Sequence, residues 1–328
     1  MEDETAATDV RSRYERFARV EADPRSPLYA DWARGVAGDD DIIGRIATLP
    51  TVKQQANLVF ASARFAGVPL APWADIRDAL LESWDAVAAC AIARSTQTNE
   101  ARRLATLVPA FGLVPQPFAL IEVGASAGLC LHPDRWRYDF GDGRIVGDEQ
   151  APLLSTRANA ATPVPASVPQ VAWRAGLDLN PLDVTNGDDL RWLETLIWPI
   201  GDGRPDAERL TRLHAAAAIA RSDPPRIETG DLVTATEHLI DEARRHAEQV
   251  VVFHSAVLAY LPEADRATFA TAMADSSATW IGNEGLGIVD GSGDALPDAP
   301  PGAFVITKNT TPVALADPHG TWLTWLPA

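Results

Sequence analysis

Apolar residues recur at three- and four-residue spacing through the first 115 residues, in segments such as DVRSRYERFARVEA, SPLYADWARGVAG, VKQQANLVFASARFAG, WADIRDALLESWDAVAACAIARS and NEARRLATLV. That period gathers apolar side chains on one stripe of a helix, and glycine or proline punctuates the segment ends. Residues 1–115 are therefore expected to form a helical N-terminal domain or cap whose stripes serve as packed core. No strand pattern precedes residue 118. Pro115-Gln-Pro117 marks the boundary, because proline disfavours helix in the residue before it.

From Phe118 the texture changes to short apolar runs, each closed by a polar or glycine-rich turn: FALIEV, QVAWRAGLDL, PRIETGDL, QVVVFHSA, ATWIGNEG, AFVITKN and GTWLTWL. Helical stretches alternate with them (DDLRWLETLIW, PDAERLTRLHAAAAIARS, ATEHLIDEARRHAE, PEADRATFATAMAD). This alternation predicts an α/β domain over residues 118–328, a Rossmann-like, mostly parallel sheet of seven strands with helices on both faces. Only TTPVALADPH separates the last two strands, too little for a helical crossover, so they are expected to pair antiparallel. An insertion at 135–170 interrupts the rhythm after the first strand and a very short helix stopped near Pro133. Asp142-Gly143 marks a hairpin within it, and a Pro/Ala/Ser-rich loop follows.

Composition narrows the classes of function. The 328 residues carry a net charge of −17, which argues against wrapping a nucleic-acid backbone and says little about a small-molecule substrate. Cys90 and Cys130 are the only cysteines, so neither a disulfide framework nor a cysteine-rich metal site is expected. The acidic, polar N-terminus does not resemble a signal peptide, and the longest apolar runs are too short to span a bilayer. A cytoplasmic protein without a membrane partner is expected.

The chemistry turns on FALIEVGASAGLCLHPD. Gly124-Ala-Ser126-Ala-Gly128 matches the nucleophile elbow of an α/β-hydrolase, and Asp290 or Asp294 followed by His319 would complete the triad in that fold's order. Two features oppose it: the elbow normally follows several strands, and no HGGG-like oxyanion segment lies upstream. The competing reading is a ligand turn. In an open parallel sheet, ligands bind beyond the carboxyl ends of the strands, where glycines let the backbone come close. Polar residues gather at those ends. Glu122 closes the first strand, Asp178 the second (placed for ribose hydroxyls), Gly230-Asp231 the third (placed for an adenine amine), His254-Ser255 the fourth, and Asn283-Glu284 the fifth. Singly, each also reads as a helix cap or turn residue. The dinucleotide fingerprint wants a third glycine and an acidic residue about 20 positions on; here Asp178 lies 54 positions after Gly124. A carboxylate at Glu122 would repel pyrophosphate and suits a cationic ligand, which favours S-adenosylmethionine over NAD.

The E-x-G-x-x-x-G turn, the GLDLNP strand end and the GD after the third strand resemble class I S-adenosylmethionine-dependent methyltransferases. More narrowly, SPLYADWA, QQANLVFA, EVGASAGLCLHPDRWRYDFG, GLDLNPLDV, RWLETLIWP, VVVFHSAVLAYLP and WIGNEG resemble family 2332 of the domains of unknown function. Cys130 and Ala56 stand where that family's pattern has Asn and Pro. The resemblance implies a methyltransferase-like sheet with a helical extension and a cofactor site at Glu122, Gly124, Ala125, Ser126, Gly128, Asp178, Leu179, Gly230, Asp231, His254 and Ser255. His254 would serve as base. Tyr29, Gln55, Asn57, Trp136, Tyr138 and Glu284 would line the acceptor pocket. The expected activity is methyl transfer to a small molecule. The alternatives are a catalytically inactive ligand- or partner-binding relative, kept open by the absence of an N-P-P-Y-type segment after the fourth strand, and the hydrolase using Ser126.

Overall fold

The computed structural model describes residues 2–97, 99–201, 203–289, 296 and 298–327, with side chains from residue 7 onward. The helices, in chain order, begin with α1 (Glu2–Phe17, continued as a π-helical turn to Ala22), α2 (Pro27–Ala37), α3 (Asp40–Ala47), α4 (Ala56–Phe65), α5 (Trp73–Glu82) and α6 (Trp84–Ala93). Then come α7 (Arg103–Phe111), α8 (Gly187–Thr195), α9 (Ala207–Ser222), α10 (Leu232–Ala243) and α11 (Glu263–Asp275). The strands are β1 (Phe118–Val123), β2 (Arg137–Asp139), β3 (Ile145–Val146), β4 (Leu153–Ser155), β5 (Arg157–Ala158), β6 (Val171–Asp178), β7 (Pro199–Ile200) and β8 (Arg204–Pro205). They continue with β9 (Arg226–Thr229), β10 (Gln249–Ser255), β11 (Thr279–Gly285), β12 (Phe304–Lys308), β13 (Thr311–Ala316) and β14 (Trp322–Trp325).

The chain divides into two compact units, Met1–Thr98 with Thr185–Leu213, and Asn99–Val184 with His214–Ala328. The first of these holds α1 to α6 and takes in α8 and the β7–β8 hairpin from later in the chain. Its core is aromatic: Tyr14, Tyr29 and Trp32 pack on Phe60 with ring centroids 5.2–5.9 Å apart. Local chemistry sets its helix starts. Ser26 accepts the Tyr29 N–H with Pro27 behind it at the start of α2, and Asp39 accepts the N–H groups of Asp41 and Ile42 at the start of α3.

The second unit is built on a sheet of nine strands in the order β5-β14-β13-β12-β11-β10-β1-β6-β9. From β9 to β11 every pairing is parallel, and β11 through β14 form an antiparallel meander. Seven strands with the last two paired was the expectation; nine are present, and β12 and β14 are separated by β13, which pairs with both. The TTPVALADPH segment is therefore a strand. Its Pro312 sits where the β12–β13 register slips, a position that spares the missing N–H. The predicted hairpin is present as β2–β3, with Gly141, Asp142 and Gly143 all at positive φ, and β4 adds to β2 in parallel. Ahead of this insertion a 3₁₀ turn, Pro133–Arg135, stands where a helix usually follows the first strand.

The chain runs from β1 outward to β6 and β9, then returns to β10 on the other side of β1, so strand order reverses between β1 and β10. Successive side chains alternate across the sheet. One face (Ala119, Ile121, Val123, Val250, Val252, Trp280) packs under α10 and α11. The other takes α7, whose Phe111 meets Phe118 and Phe253 at 6.2 and 5.4 Å.

Candidate functional site

The turn after β1 is knit to its neighbours rather than left open. Gly124 and Ala125 donate to Leu177 O at 2.8 and 3.1 Å, and Asn99 brackets the next residues by donating to Ala125 O and accepting from Leu129 N, both at 3.0 Å. Asp178, at the end of β6, accepts Ser126 N–H at 2.7 Å through Oδ2 and Asn180 N–H at 2.8 Å through Oδ1. Gly124 and Gly128 are left-handed, with φ of +73° and +67°, and the space their missing side chains leave is filled by protein. A Cβ on Gly124 would meet Val257 at 2.5 Å, and one on Gly128 would meet Pro225 at 2.8 Å. The glycines thus serve packing of the turn.

Register sorts the expected site residues onto opposite faces. Glu122 pairs with Phe253 and Ser255 pairs with Asn283, which puts Glu122, Ser255 and Asn283 together on the α7 face. Glu122 is buried, its Oε2 has no hydrogen-bond partner, and burial pushes its carboxyl well above the usual carboxylate range. Arg103 pulls it back down and Asp178 adds to the rise. Arg103, itself buried, donates from Nε to Pro318 O at 2.8 Å and from Nη1 to Ser255 O at 3.2 Å. Asn283 donates from Nδ2 to Ser255 Oγ at 2.8 Å, and its Oδ1 is buried without a partner. Cys130 lies within the same field: burial, Glu122 and Glu100 push its thiol up while Arg103 opposes them.

His254 and Glu284 lie on the other face, in a closed network. His254 is fully buried; its Nδ1 meets Glu284 Oε1 at 2.7 Å and its Nε2 accepts Trp280 Nε1–H at 2.9 Å. Because Nε2 accepts, Nδ1 is the protonated nitrogen and donates to the carboxylate. Both ring nitrogens are engaged, so His254 has no free lone pair with which to take a proton from a substrate. Glu284 Oε1 also accepts the N–H groups of Val257 and Leu258, at 2.9 and 3.1 Å. The pair fixes the loop after β10, and through Val257 it fixes the Gly124 turn.

The remaining expected residues fall elsewhere. Asp231 is exposed and caps α10 by accepting Val233 N–H at 2.8 Å, while Gly230 donates to Asp178 O at 3.0 Å. Leu179 is 62% exposed beside Asp178. Trp136 and Tyr138 are buried, with Tyr138 OH donating to Pro133 O at 2.7 Å. Tyr29, Gln55 and Asn57 belong to the helical unit: Tyr29 is buried with its OH accepting from Arg64 at 3.3 Å, Gln55 is exposed, and Asn57 accepts Leu58 N–H at 3.0 Å. Ser126 has the positive φ of an elbow (+52°), yet its Oγ is buried without a hydrogen-bond partner, so no imidazole activates it among the described residues. Asp290 and Asp294 lie outside the described residues. Arg103 and Asn99 were not singled out in the sequence, because both read as parts of a cap-helix segment.

None of the described helices is long and apolar enough to cross a membrane. No curated protein matches this chain. A family model described as "Uncharacterized protein conserved in bacteria (DUF2332)" matches residues 11–69 and 65–325. With nearly its whole length covered, from the helical unit through the last strands of the sheet, this chain belongs to that family.

Proposed function

We propose that this protein is an S-adenosylmethionine-dependent methyltransferase acting on a small molecule. The observation that carries the reading is the pairing of two acidic strand ends at the reversal of strand order: Glu122 with a buried, unpartnered Oε2, and Asp178 one strand over, tied to the same turn through Ser126 N–H. The parallel strands β9-β6-β1-β10-β11 run third, second, first, fourth, fifth, the doubly wound order whose ligands sit at the reversal. No α-helix begins at the glycine turn, which removes the helix-terminus seat a pyrophosphate would use and leaves carboxylates suited to a cation and to hydroxyls.

In this reading Glu122 takes the ammonium of the cofactor. Asp178, whose oxygens also accept the N–H groups of Ser126 and Asn180, is the carboxylate assigned to the ribose hydroxyls. Exposed Leu179 offers an apolar surface to the base. When bound, the cofactor supplies an electrophilic methyl group on a sulfonium. The protein's share is to align an acceptor and exclude water; His254 holds the loop and is not assigned proton transfer. Calorimetry with S-adenosylmethionine and its demethylated product tests the reading: binding that weakens in Asp178→Ala is expected, and absence of heat at millimolar ligand refutes it.

A second reading is a binder of the same ligand without turnover. It is favoured by the closed His254–Glu284–Trp280 network, which leaves no assigned base at the end of β10. It predicts that bound S-adenosylmethionine is recovered unchanged with every acceptor offered, and methylated product overturns it.

A further inference from the structure

The segment that follows the glycine turn is docked on the connection between α9 and β9. A Cβ on Gly128 would meet Pro225 Cγ at 2.8 Å and Ile227 Cδ1 at 2.9 Å, so the two stretches lie in close contact. Four residues further on, His132 is fully buried, and its Nε2 lies 2.8 Å from Asp223 O. A carbonyl oxygen only accepts, so Nε2 carries the proton and Nδ1 keeps the lone pair. Nδ1 is buried and has no hydrogen-bond partner among the described residues. A second proton would have to sit on Nδ1, away from water and from any acceptor, and a cation buried in that way is costly.

The charged groups that face the ring come from three elements. Arg174 of β6 donates from Nη1 to Leu131 O at 2.9 Å and makes a two-point pair with Asp134 of the 3₁₀ turn, both bonds at 2.9 Å. Asp223, directly after α9, also meets Arg135 at 3.2 Å, where both side chains are at the surface. Burial is the largest influence on His132 and lowers its pKa from the ordinary 6.5. Arg174 acts in the same direction, while the bond to Asp223 O and the carboxylates of Asp134 and Asp223 oppose it.

We infer that His132 is an acid-released clasp, which fastens the segment behind the glycine turn to the α9–β9 connection while its imidazole is neutral and lets go when the ring is protonated. Opening brings the imidazole into water, where it takes up a proton near pH 6.5. The closed form resists that proton, so below this pH the open form holds one more. Its population then rises about tenfold for each unit of falling pH until the lower value of the closed form is passed. The clasp is at full strength above pH 6.5 and weakens below it. Because Gly128 leans on the same connection, opening also frees the far end of the glycine turn, whatever ligand that turn serves. The clasp does not rest on the methyltransferase reading.

Hydrogen exchange of the full chain, read by mass spectrometry from about pH 5 to about pH 7.5 and corrected for the intrinsic rate, tests it. The informative amides are those of Leu131 and Arg135, which donate to Gly128 O and His132 O. Their protection should be level above pH 7 and fall about tenfold per unit below 6.5. His132→Gln keeps an amide N–H for Asp223 O and does not titrate, so its protection should be flat across the range. A parent without the slope, or a variant that keeps it, overturns the clasp. Exchange of the histidine C2 hydrogen in the peptide containing His132 gives the pKa of that ring in the unaltered protein, and so decides the matter even where the variant fails to fold. A value below 6.5 is expected. A value at or above 6.5, as a water accepting from a protonated Nδ1 would produce, overturns the inference.

Discussion

Replacing Gly124 by alanine tests what the glycine turn is for. At φ +73° a Cβ is disfavoured by about 1–2 kcal/mol through its clash with the following carbonyl. The new methyl would also lie 2.5 Å from Val257 Cγ2, 2.7 Å from its Cβ and 3.1 Å from its Cγ1. Val257 cannot easily retreat, since its N–H and that of Leu258 are held by buried Glu284. Overpacking of this kind costs about 1–3 kcal/mol, so Gly124→Ala should destabilise by roughly 2–5 kcal/mol. Val257→Ala removes the two Cγ contacts and leaves the backbone term in place. The double variant should therefore be more stable than the sum of the single changes predicts, by about 1 kcal/mol or more. Urea unfolding of the four proteins, followed by tryptophan fluorescence and extrapolated linearly, measures the coupling. Additivity within about 0.5 kcal/mol would mean that Val257 does not fill the turn, and that the glycine is kept for a ligand's approach instead.

Glu284→Ala strips the shared acceptor from three donors, His254 Nδ1–H and the N–H groups of Val257 and Leu258, and should cost about 4 kcal/mol, at the upper end for a single substitution. Glu284→Gln keeps an acceptor and should cost ~1–2 kcal/mol; equal losses in urea would show that the three bonds carry no weight. Glu122→Gln should gain stability relative to the parent as pH rises from its ordinary value of 4.5. Above that pH the unfolded chain releases a proton that the buried carboxyl retains, so the parent loses stability with rising pH until the raised folded value is passed. A difference between the two proteins that stays flat with pH refutes the assignment. A fluorophosphonate should leave Ser126 unlabelled by mass spectrometry, and stoichiometric labelling would revive the hydrolase.

Much of the parallel core was legible because its strands are short apolar runs ended by polar residues: FALIEV, VVVFHSA and WIGNEG each became the strand expected. β13 was not, since a proline in a six-residue strand argues against pairing until the register slip that accommodates Pro312 is seen. α3 escaped because eight residues carry too little of the helical period; Asp39 capping and the burial of Ile42, Ile43 and Ile46 hold it. In the site, Glu122 and Asp178 could be picked out as acidic strand ends. Grouping His254 with Ser255 ignored a separation that alternation already contains, since adjacent strand residues face opposite ways. Arg103 had no local signal at all, because only the packing of α7 brings it to Ser255.

The two faces are nonetheless mechanically joined, through the buried hydrogen bond between His254 and Glu284. Glu284 receives His254 on one hand and the Val257 and Leu258 amides on the other. Val257 fills the Gly124 turn, that turn presents Ser126 N–H to Asp178, and Asp178 stands beside the strand that carries Glu122. Each step is a hydrogen bond or a contact with no room to slide, so the spacing of the two acidic side chains is set from beneath the sheet. A neutral, flexible acceptor at Glu284 would hold the same three donors less firmly, and the loss would reach Asp178 through Val257 before it reached the core. Glu284 therefore serves the geometry of the opposite face, and on the proposed reading Glu284→Gln should weaken S-adenosylmethionine binding measured by calorimetry.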